Sequence, residues 1–273
     1  MRFFTTLMSP CVGGKTGLGR VFAAVSLKII VINFVAIALA APSGAQQPSP
    51  APSVPTEAEE TAMYKTYKNA PKTSLPAPTA GNMSLETAIR ARRSVRSFAD
   101  KPLKLAQVSQ LLLSAYGITQ RRGDEDHRSV PSAGAMFPLD LYLLAHHVDS
   151  LAPGLYHFQV LDSTLELIKP GDFSEQIHEA SNGQSTVGSS PATLIITATY
   201  GRITPRYSDR GYQYTHMEVG AVCQNVYLQA TSLGLGTCAV GAFDDDAVSR
   251  LLELGRRREI PMLVMPVGVP RGE

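Results

Sequence analysis

The chain has 273 residues, 44% of them hydrophobic, with 25 Lys and Arg against 23 Asp and Glu for a formal charge of +2. Four of the basic residues (Arg2, Lys15, Arg20 and Lys28) lie in the first 28 positions, where there is no acid. The remainder therefore holds 21 basic and 23 acidic side chains, a net −2 that offers nucleic acid no basic field.

Residues 1–45 read as a secretory signal. The basic start is followed by a twelve-residue apolar run at 29–40, broken only by Asn33. Ser43-Gly44-Ala45 then places small side chains at −3 and −1 of a cleavage point after Ala45. The chain is thus expected to be exported, periplasmic or secreted. The alternative is an uncleaved membrane anchor starting near Val21, against which Lys28 counts, since a charge at the bilayer centre costs ~2.5–3.5 kcal/mol. Gly13-Gly14-Lys15-Thr16 imitates a phosphate loop, but the motif's first glycine would fall on Ser9 and no strand precedes it. Residues 46–82, rich in Pro, Ala, Ser and Thr, have linker composition, with room for a short helix at 58–68. The folded body is expected over 83–273.

Ser84 caps a predicted helix reaching about Val95, with Leu85, Ala88 and Ile89 facing inward. Pro102 separates it from a helix at 105–116, where Leu105, Val108, Leu111, Leu112 and Ala115 recur at helical spacing and Gly117 is placed to end it in a left-handed conformation. Residues 120–129 read as a loop. A strongly apolar strand follows at 139–145, then a hairpin of 154–159 and 164–169 joined through Leu161-Asp162-Ser163. A short helix at 172–180 and a buried strand at 192–200 precede the longest helix, 214–233. That helix is apolar on most faces and must be covered by its own sheet and by a second subunit. A helix at 244–254 and a strand at 262–269 complete the pattern.

Hairpins mixed with helices argue an α+β fold with a central, mostly antiparallel sheet. No Gly-x-Gly-x-x-Gly follows a strand, so a dinucleotide-binding domain is not supported. Cys223 lies in a helical pattern and is not expected to pair with Cys238. The three cysteines form no Cys-x-x-Cys pair, and the six histidines are scattered, His146 and His147 pointing to opposite sides of a strand; no metal site is signalled.

Three stretches carry chemistry. Residues 91–98 read Ala-Arg-Arg-Ser-Val-Arg-Ser-Phe, and on a helix Arg92 and Arg96 would share a face, suited with Ser94 to a phosphate monoester. The plainer reading is that these arginines complement the negative end of a helix, worth ~0.3–1 kcal/mol each. Pro131, Ser132, Ala133 and Gly134 form a turn of small side chains that lets a flat ring approach the backbone, or an ordinary tight turn. Residues 234–243, Gly-Leu-Gly-Thr-Cys-Ala-Val-Gly-Ala-Phe, end the longest helix; an amide near Val240 and Gly241 suits the N5/O4 edge of a flavin, while the plain reading is a helix cap and a strand.

Together, and in this order, the three stretches resemble the nitroreductase superfamily, most closely its SagB-type branch of FMN-dependent dehydrogenases. The resemblance spans residue 83 to the end. It implies the nitroreductase-like fold, a homodimer with FMN at the interface, and ping-pong hydride transfer through the flavin to or from a small-molecule or peptide substrate. Arg92, Arg93, Ser94 and Arg96 would hold the FMN phosphate, ribityl chain and pyrimidine edge. Pro131–Gly134 would lie against the ring from the other subunit, Val240 and Gly241 would approach from the near side, and Gln184 would offer an amide. Azoline-oxidising members carry Lys-Tyr-Gly-x-Arg-Gly-Tyr before the long helix; here the run is Arg206-Tyr207-Ser208-Asp209-Arg210-Gly211-Tyr212. Tyr207 is then the proton-handling candidate. Arg206 stands at the lysine position and, remaining protonated, cannot serve as a base. The alternatives are a flavin-binding module without turnover and an azoline-type peptide dehydrogenase.

Overall fold

Runs of alternating apolar residues supply the long strands, and periodic apolar stripes supply the helices that cover them. The computed structural model describes residues 50–273 apart from positions 54, 79, 80, 82, 124, 256, 257 and 273. The expected signal or anchor at 1–45 lies outside the described residues. The first elements are α1 (Glu57–Thr61), β1 (Lys72–Ser74), α2 (Leu85–Ala91), β2 (Leu103–Lys104), α3 (Leu105–Tyr116), β3 (Ile118–Arg122) and β4 (Glu125–Arg128). Next come β5 (Leu139–Ala145), β6 (Val148–Asp149), β7 (Gly154–Gln159), β8 (Thr164–Pro170), α4 (Ser174–Ala180), α5 (Ser185–Gly188) and β9 (Ala192–Thr199). The chain finishes with α6 (Thr204–Tyr207), α7 (Arg210–Ser232), β10 (Gly236–Thr237), α8 (Asp245–Leu251) and β11 (Glu259–Gly268).

Seven strands form one sheet in the order β1-β8-β7-β5-β9-β11-β10, every neighbouring pair antiparallel. The period of two splits its side chains between two cores. Leu139, Leu141, Leu143 and Ala145 of β5 pack with α3 and α7, while Tyr142 and Leu144 point to the other side, under α4, α5 and α8. This is the α+β architecture expected from the sequence.

Several elements depart from expectation. The helix capped by Ser84, whose Oγ accepts the Thr87 amide at 3.3 Å, stops at Ala91 and does not reach Val95. Beyond it the backbone turns extended, because Ser94 bridges Thr237 in parallel and the Val95 amide donates to the Thr237 carbonyl at 2.9 Å. Pairing with a distant strand overrides local helix preference. Arg92 and Arg96 therefore share no helix face. Ala88 is buried as expected, but Leu85 and Ile89 are 60% and 53% exposed. Gly117 caps α3 at φ −68°, not in a left-handed conformation; a Cβ there would stand 2.7 Å from the Leu113 carbonyl oxygen, so the position needs a small residue. The expected loop at 120–129 contains most of the β3–β4 hairpin. The chain covers one face of α7, with Val219, Val222, Val226 and Ala230 buried, and leaves Met217 68% exposed. Cys223 and Cys238 are both free thiols.

Part of the stretch with linker composition is packed into the body. Beta-strand β1 pairs with β8 at the sheet edge, and Lys65 and Tyr67 are buried. The Lys65 ammonium pairs with Glu259 of β11 and donates to the Tyr142 hydroxyl at 2.6 Å, which in turn donates to Glu259 Oε1 at 3.0 Å. Burial alone would lower the Lys65 ammonium, but Glu259 beside it lifts it above its ordinary value. Next to this pair, Asp140 accepts from Arg202 Nη2 at 2.7 Å and faces His157, whose Nδ1 lies 3.0 Å from Glu166. Removing one member of such a pair leaves an uncompensated charge, at a cost of ~3–5 kcal/mol. The segment is thus strapped to the sheet by ionic groups.

Candidate functional site

The end of α2 and the segment after α7 are laid side by side around one side chain, Tyr227 of α7. Its hydroxyl accepts the Ala239 amide at 2.7 Å and shares a 3.0 Å hydrogen bond with the Ser94 hydroxyl. The Arg92 guanidinium lies over its ring, 5.1 Å from the centroid. The neighbouring Cys223 thiol is pushed up to about 11 by burial, with Arg92 pulling the other way. Arg93 is exposed and donates from Nη1 to the Arg90 and Arg92 carbonyls, each at 2.8 Å, and Arg96 is exposed. Among the described residues no carboxylate forms an ion pair with Arg92, Arg93 or Arg96. Three cations in five residues, none neutralised, make a concentrated positive edge suited to a phosphate monoester.

Two sequence expectations need correction in detail. The Val240 amide donates to the Val264 carbonyl at 2.9 Å and its carbonyl accepts from Val264, so Val240 fixes the backbone and offers no free donor. Gly241, exposed and with open space where a Cβ would stand, is the residue whose backbone is accessible. Gln184 spends its side-chain amide on the Ser181 carbonyl (3.0 Å) and the Ala242 carbonyl (2.8 Å). It holds the loop after Gly241 in place, and Asn182 Nδ2 adds a third bond to Ala242 at 3.1 Å.

The small-residue turn forms a second group. Gly134 has φ +60°, and Ala135 and Phe137 are also left-handed, at +56° and +46°. Such a conformation costs a side-chain-bearing residue ~1–2 kcal/mol, held here by the Phe137 amide donating to Ser132 Oγ at 2.9 Å. A Cβ on Gly134 would stand 2.5 Å from the Tyr207 hydroxyl and 3.3 Å from the Arg206 guanidinium carbon, so the turn rests on the Arg206–Tyr207 pair. The Tyr207 ring meets Tyr214 edge-on, with centroids 5.2 Å apart. Pro131, Ser132 and Ala133 with Tyr214, Met217, Glu218 and Ala221 of α7 line a cavity of about 280 Å³.

Glu218 is the residue sequence reasoning missed. It is 3% exposed, and its Oε1 accepts from the Tyr116 hydroxyl at 2.5 Å. Its one signal was that it is the single acid of α7, set between Met217 and Val219. Burial raises this carboxyl above its ordinary value, while Tyr116, Ser132 and Arg128 pull it back down.

Two groups therefore exist in one chain. Arg92, Ser94, Tyr227 and the Gly241 loop form the first; Pro131–Gly134, Tyr207, Tyr214 and Glu218 form the second. Glu218 and Tyr227 are nine residues apart on α7, ~13 Å at 1.5 Å per residue, and no hydrogen bond or ring contact joins the groups among the described residues.

The family model described as the Nitroreductase family matches residues 89–269. MJ1384 of Methanocaldococcus jannaschii, itself only provisionally named a nitroreductase, is 41% identical over 191 residues, covering 70% of this chain and 93% of that protein. The microcin B17-processing protein McbC of Escherichia coli is 26% identical over 178 residues, covering 63% of this chain and 65% of McbC, so the chain spans just under two thirds of that relative. A crystal structure from Ralstonia eutropha JMP134, also a provisionally named nitroreductase, superposes with a TM-score of 0.64 at 26% identity, covering 82% of this chain and 95% of that one.

Proposed function

The chain belongs to the nitroreductase family, and on that premise we propose that it is an FMN-dependent oxidoreductase working by ping-pong hydride transfer. The observation that carries the reading is the set of guanidiniums without carboxylate partners beside a backbone edge that ends in an open glycine. When bound, FMN supplies the two-electron chemistry, and the protein supplies binding, orientation and electrostatics. Arg92, Arg93 and Arg96 neutralise the phosphate, with Ser94 donating through its hydroxyl. Tyr227 holds Ser94 and Ala239 in register, and Gln184 and Val240 hold the loop that presents Gly241.

The turn of Pro131, Ser132, Ala133 and Gly134 gives a flat ring a surface free of bulky side chains, and Tyr207 is the proton-handling group beside it. Because the two groups lie apart on α7, the reading has the turn of one chain complete the arginine edge of another in a homodimer. Exposed Leu85, Ile89 and Met217 supply apolar surface for that contact. McbC is named for processing a peptide, which supports a peptide substrate; Arg206, unable to act as a base, favours a small-molecule acceptor instead.

The basic start and apolar run within 1–45 support export to the periplasm. An exported enzyme would draw electrons from its substrate or a periplasmic carrier. Among the described residues no helix is long and apolar enough to cross a membrane. The test is to purify the full chain, record its flavin absorbance and follow bleaching under anaerobic donors. A yellow protein bleached by a donor and recoloured by an acceptor is expected; a yellow protein that no donor bleaches would leave only flavin binding.

A further inference from the structure

The N-terminus of a helix carries a partial positive charge, so acids are favoured there and cations are not. Helix α7 reverses this. It opens on Arg210, its first turn holds no acid, and the Asp209 side chain makes no cap hydrogen bond. Arg206, exposed like Arg210, lies one turn earlier in α6. Asp209 stands between the two in sequence, yet among the described residues neither guanidinium has a carboxylate partner or a hydrogen-bond acceptor. Each is instead laid over a tyrosine, Arg206 5.5 Å from the Tyr207 ring centroid and Arg210 5.5 Å from that of Tyr214. The rings steady the guanidiniums and leave their N–H groups to a ligand. Tyr207 and Tyr214 meet edge-on, so both cations belong to one cluster. Two unneutralised cations at the positive end of a helix return nothing to the fold; an anion bound between them does.

The cluster stands on the small-residue turn. A Cβ on Gly134 would meet the Tyr207 hydroxyl at 2.5 Å and the Arg206 guanidinium carbon at 3.3 Å. Tyr214 also lines the cavity of about 280 Å³ beside the turn. That volume is below the ~300–1,000 Å³ of sites for drug-sized ligands, which favours a small molecule over a peptide. Glu218, the one acid lining the cavity, accepts from the Tyr116 hydroxyl and forms no ion pair with either arginine.

We propose that Arg206 and Arg210 bind the carboxylate of a small planar substrate and hold it at the turn assigned above to the flavin ring. The planar fork of a guanidinium matches a carboxylate and keeps its charge at any working pH. The tyrosine rings and the flat turn suit a planar guest. The inference deepens the FMN reading by naming the charge of the substrate. It rests on that reading for the place of the flavin; the grip on the carboxylate itself needs no flavin.

The test is isothermal titration of the purified full chain with benzoate and with benzamide, which has nearly the same shape and no charge. Wild type should bind benzoate at least about tenfold more tightly, and added salt should weaken benzoate but not benzamide. Equal affinity for the two, or no binding of benzoate, overturns the proposal without recourse to a variant. Arg206→Gln and Arg210→Gln should each weaken benzoate about tenfold, the worth of one charge-assisted hydrogen bond, and leave benzamide within about twofold. Arg206→Lys, which restores the charge, should recover part of the preference, a result that a purely structural arginine would not give. Unchanged benzoate affinity in the double variant Arg206→Gln/Arg210→Gln overturns the proposal. Equilibrium dialysis of that double variant against FMN separates a substrate carboxylate from the cofactor phosphate. Unchanged FMN uptake is expected, whereas lost uptake assigns the two arginines to the phosphate and overturns the proposal. Protein that binds FMN but shows no preference for benzoate refutes this inference alone; protein that prefers benzoate but takes up no FMN refutes the FMN reading alone.

Discussion

The Tyr207 hydroxyl stands where a side chain on Gly134 would have to go: a Cβ built on that glycine would lie 2.5 Å from it. The glycine is further required by its φ of +60°. Gly134→Ala should therefore displace Tyr207 and strain the turn, lowering stability by ~1–2 kcal/mol. Thermal unfolding checks the stability, and a shift in near-ultraviolet circular dichroism reports Tyr207. An unchanged melting temperature would show that the turn relaxes freely.

Tyr227 ties the arginine segment to the loop that presents Gly241. Tyr227→Phe keeps the ring beneath Arg92 but strands the Ala239 amide and frees the Ser94 hydroxyl. A loss of ~1–3 kcal/mol is expected, with FMN affinity falling in parallel. Urea unfolding and quenching of flavin fluorescence measure the two effects separately.

Arg92→Ala and Arg96→Ala each remove one unneutralised cation from the proposed phosphate site. Each should weaken FMN binding about tenfold or more, the loss of one charge-assisted hydrogen bond being ~1.5–3 kcal/mol. Raising salt should weaken wild type more than either variant. Unchanged occupancy in both variants would remove the arginines from the site.

The Asp140 carboxyl gives the fold a defined acid limit. Burial would raise it, but Arg202, His157 and Lys65 hold it well below the usual carboxylate range. Its folded value thus lies below its unfolded value of ~3.9, so its stabilisation is present above that pH and is lost as pH falls toward the folded value. Asp140→Asn should lower stability at pH 7 and flatten its decline below about pH 4. Urea midpoints across that window decide the matter.

The fold was legible wherever local pattern and burial agree. The bounds of α3 follow from apolar periodicity, which marks the face it packs; those of β5 and β7 follow from short, largely apolar runs that the sheet buries on both faces. Ser94 was not legible as extended backbone, because its partner Thr237 lies more than a hundred residues away and pairing there outweighs helix propensity. Lys65 and Tyr67 stand in Pro- and Ala-rich surroundings that look like linker, and it takes Glu259, Tyr142, Gln159 and Glu166 of the sheet to explain their burial. The turn at Pro131–Gly134 and the Gly241 loop were readable as small-residue segments; that Val240 spends its amide on Val264 was not. Glu218 escaped notice because one acid on a helix carries no meaning until its neighbours are known.

Equilibrium dialysis of the purified full chain against FMN tests the central claim most directly. The account predicts stoichiometric, phosphate-dependent uptake, with riboflavin held more weakly and the Arg92→Ala/Arg96→Ala double variant nearly empty. A native, folded chain that takes up no FMN, or holds riboflavin as tightly, would contradict it.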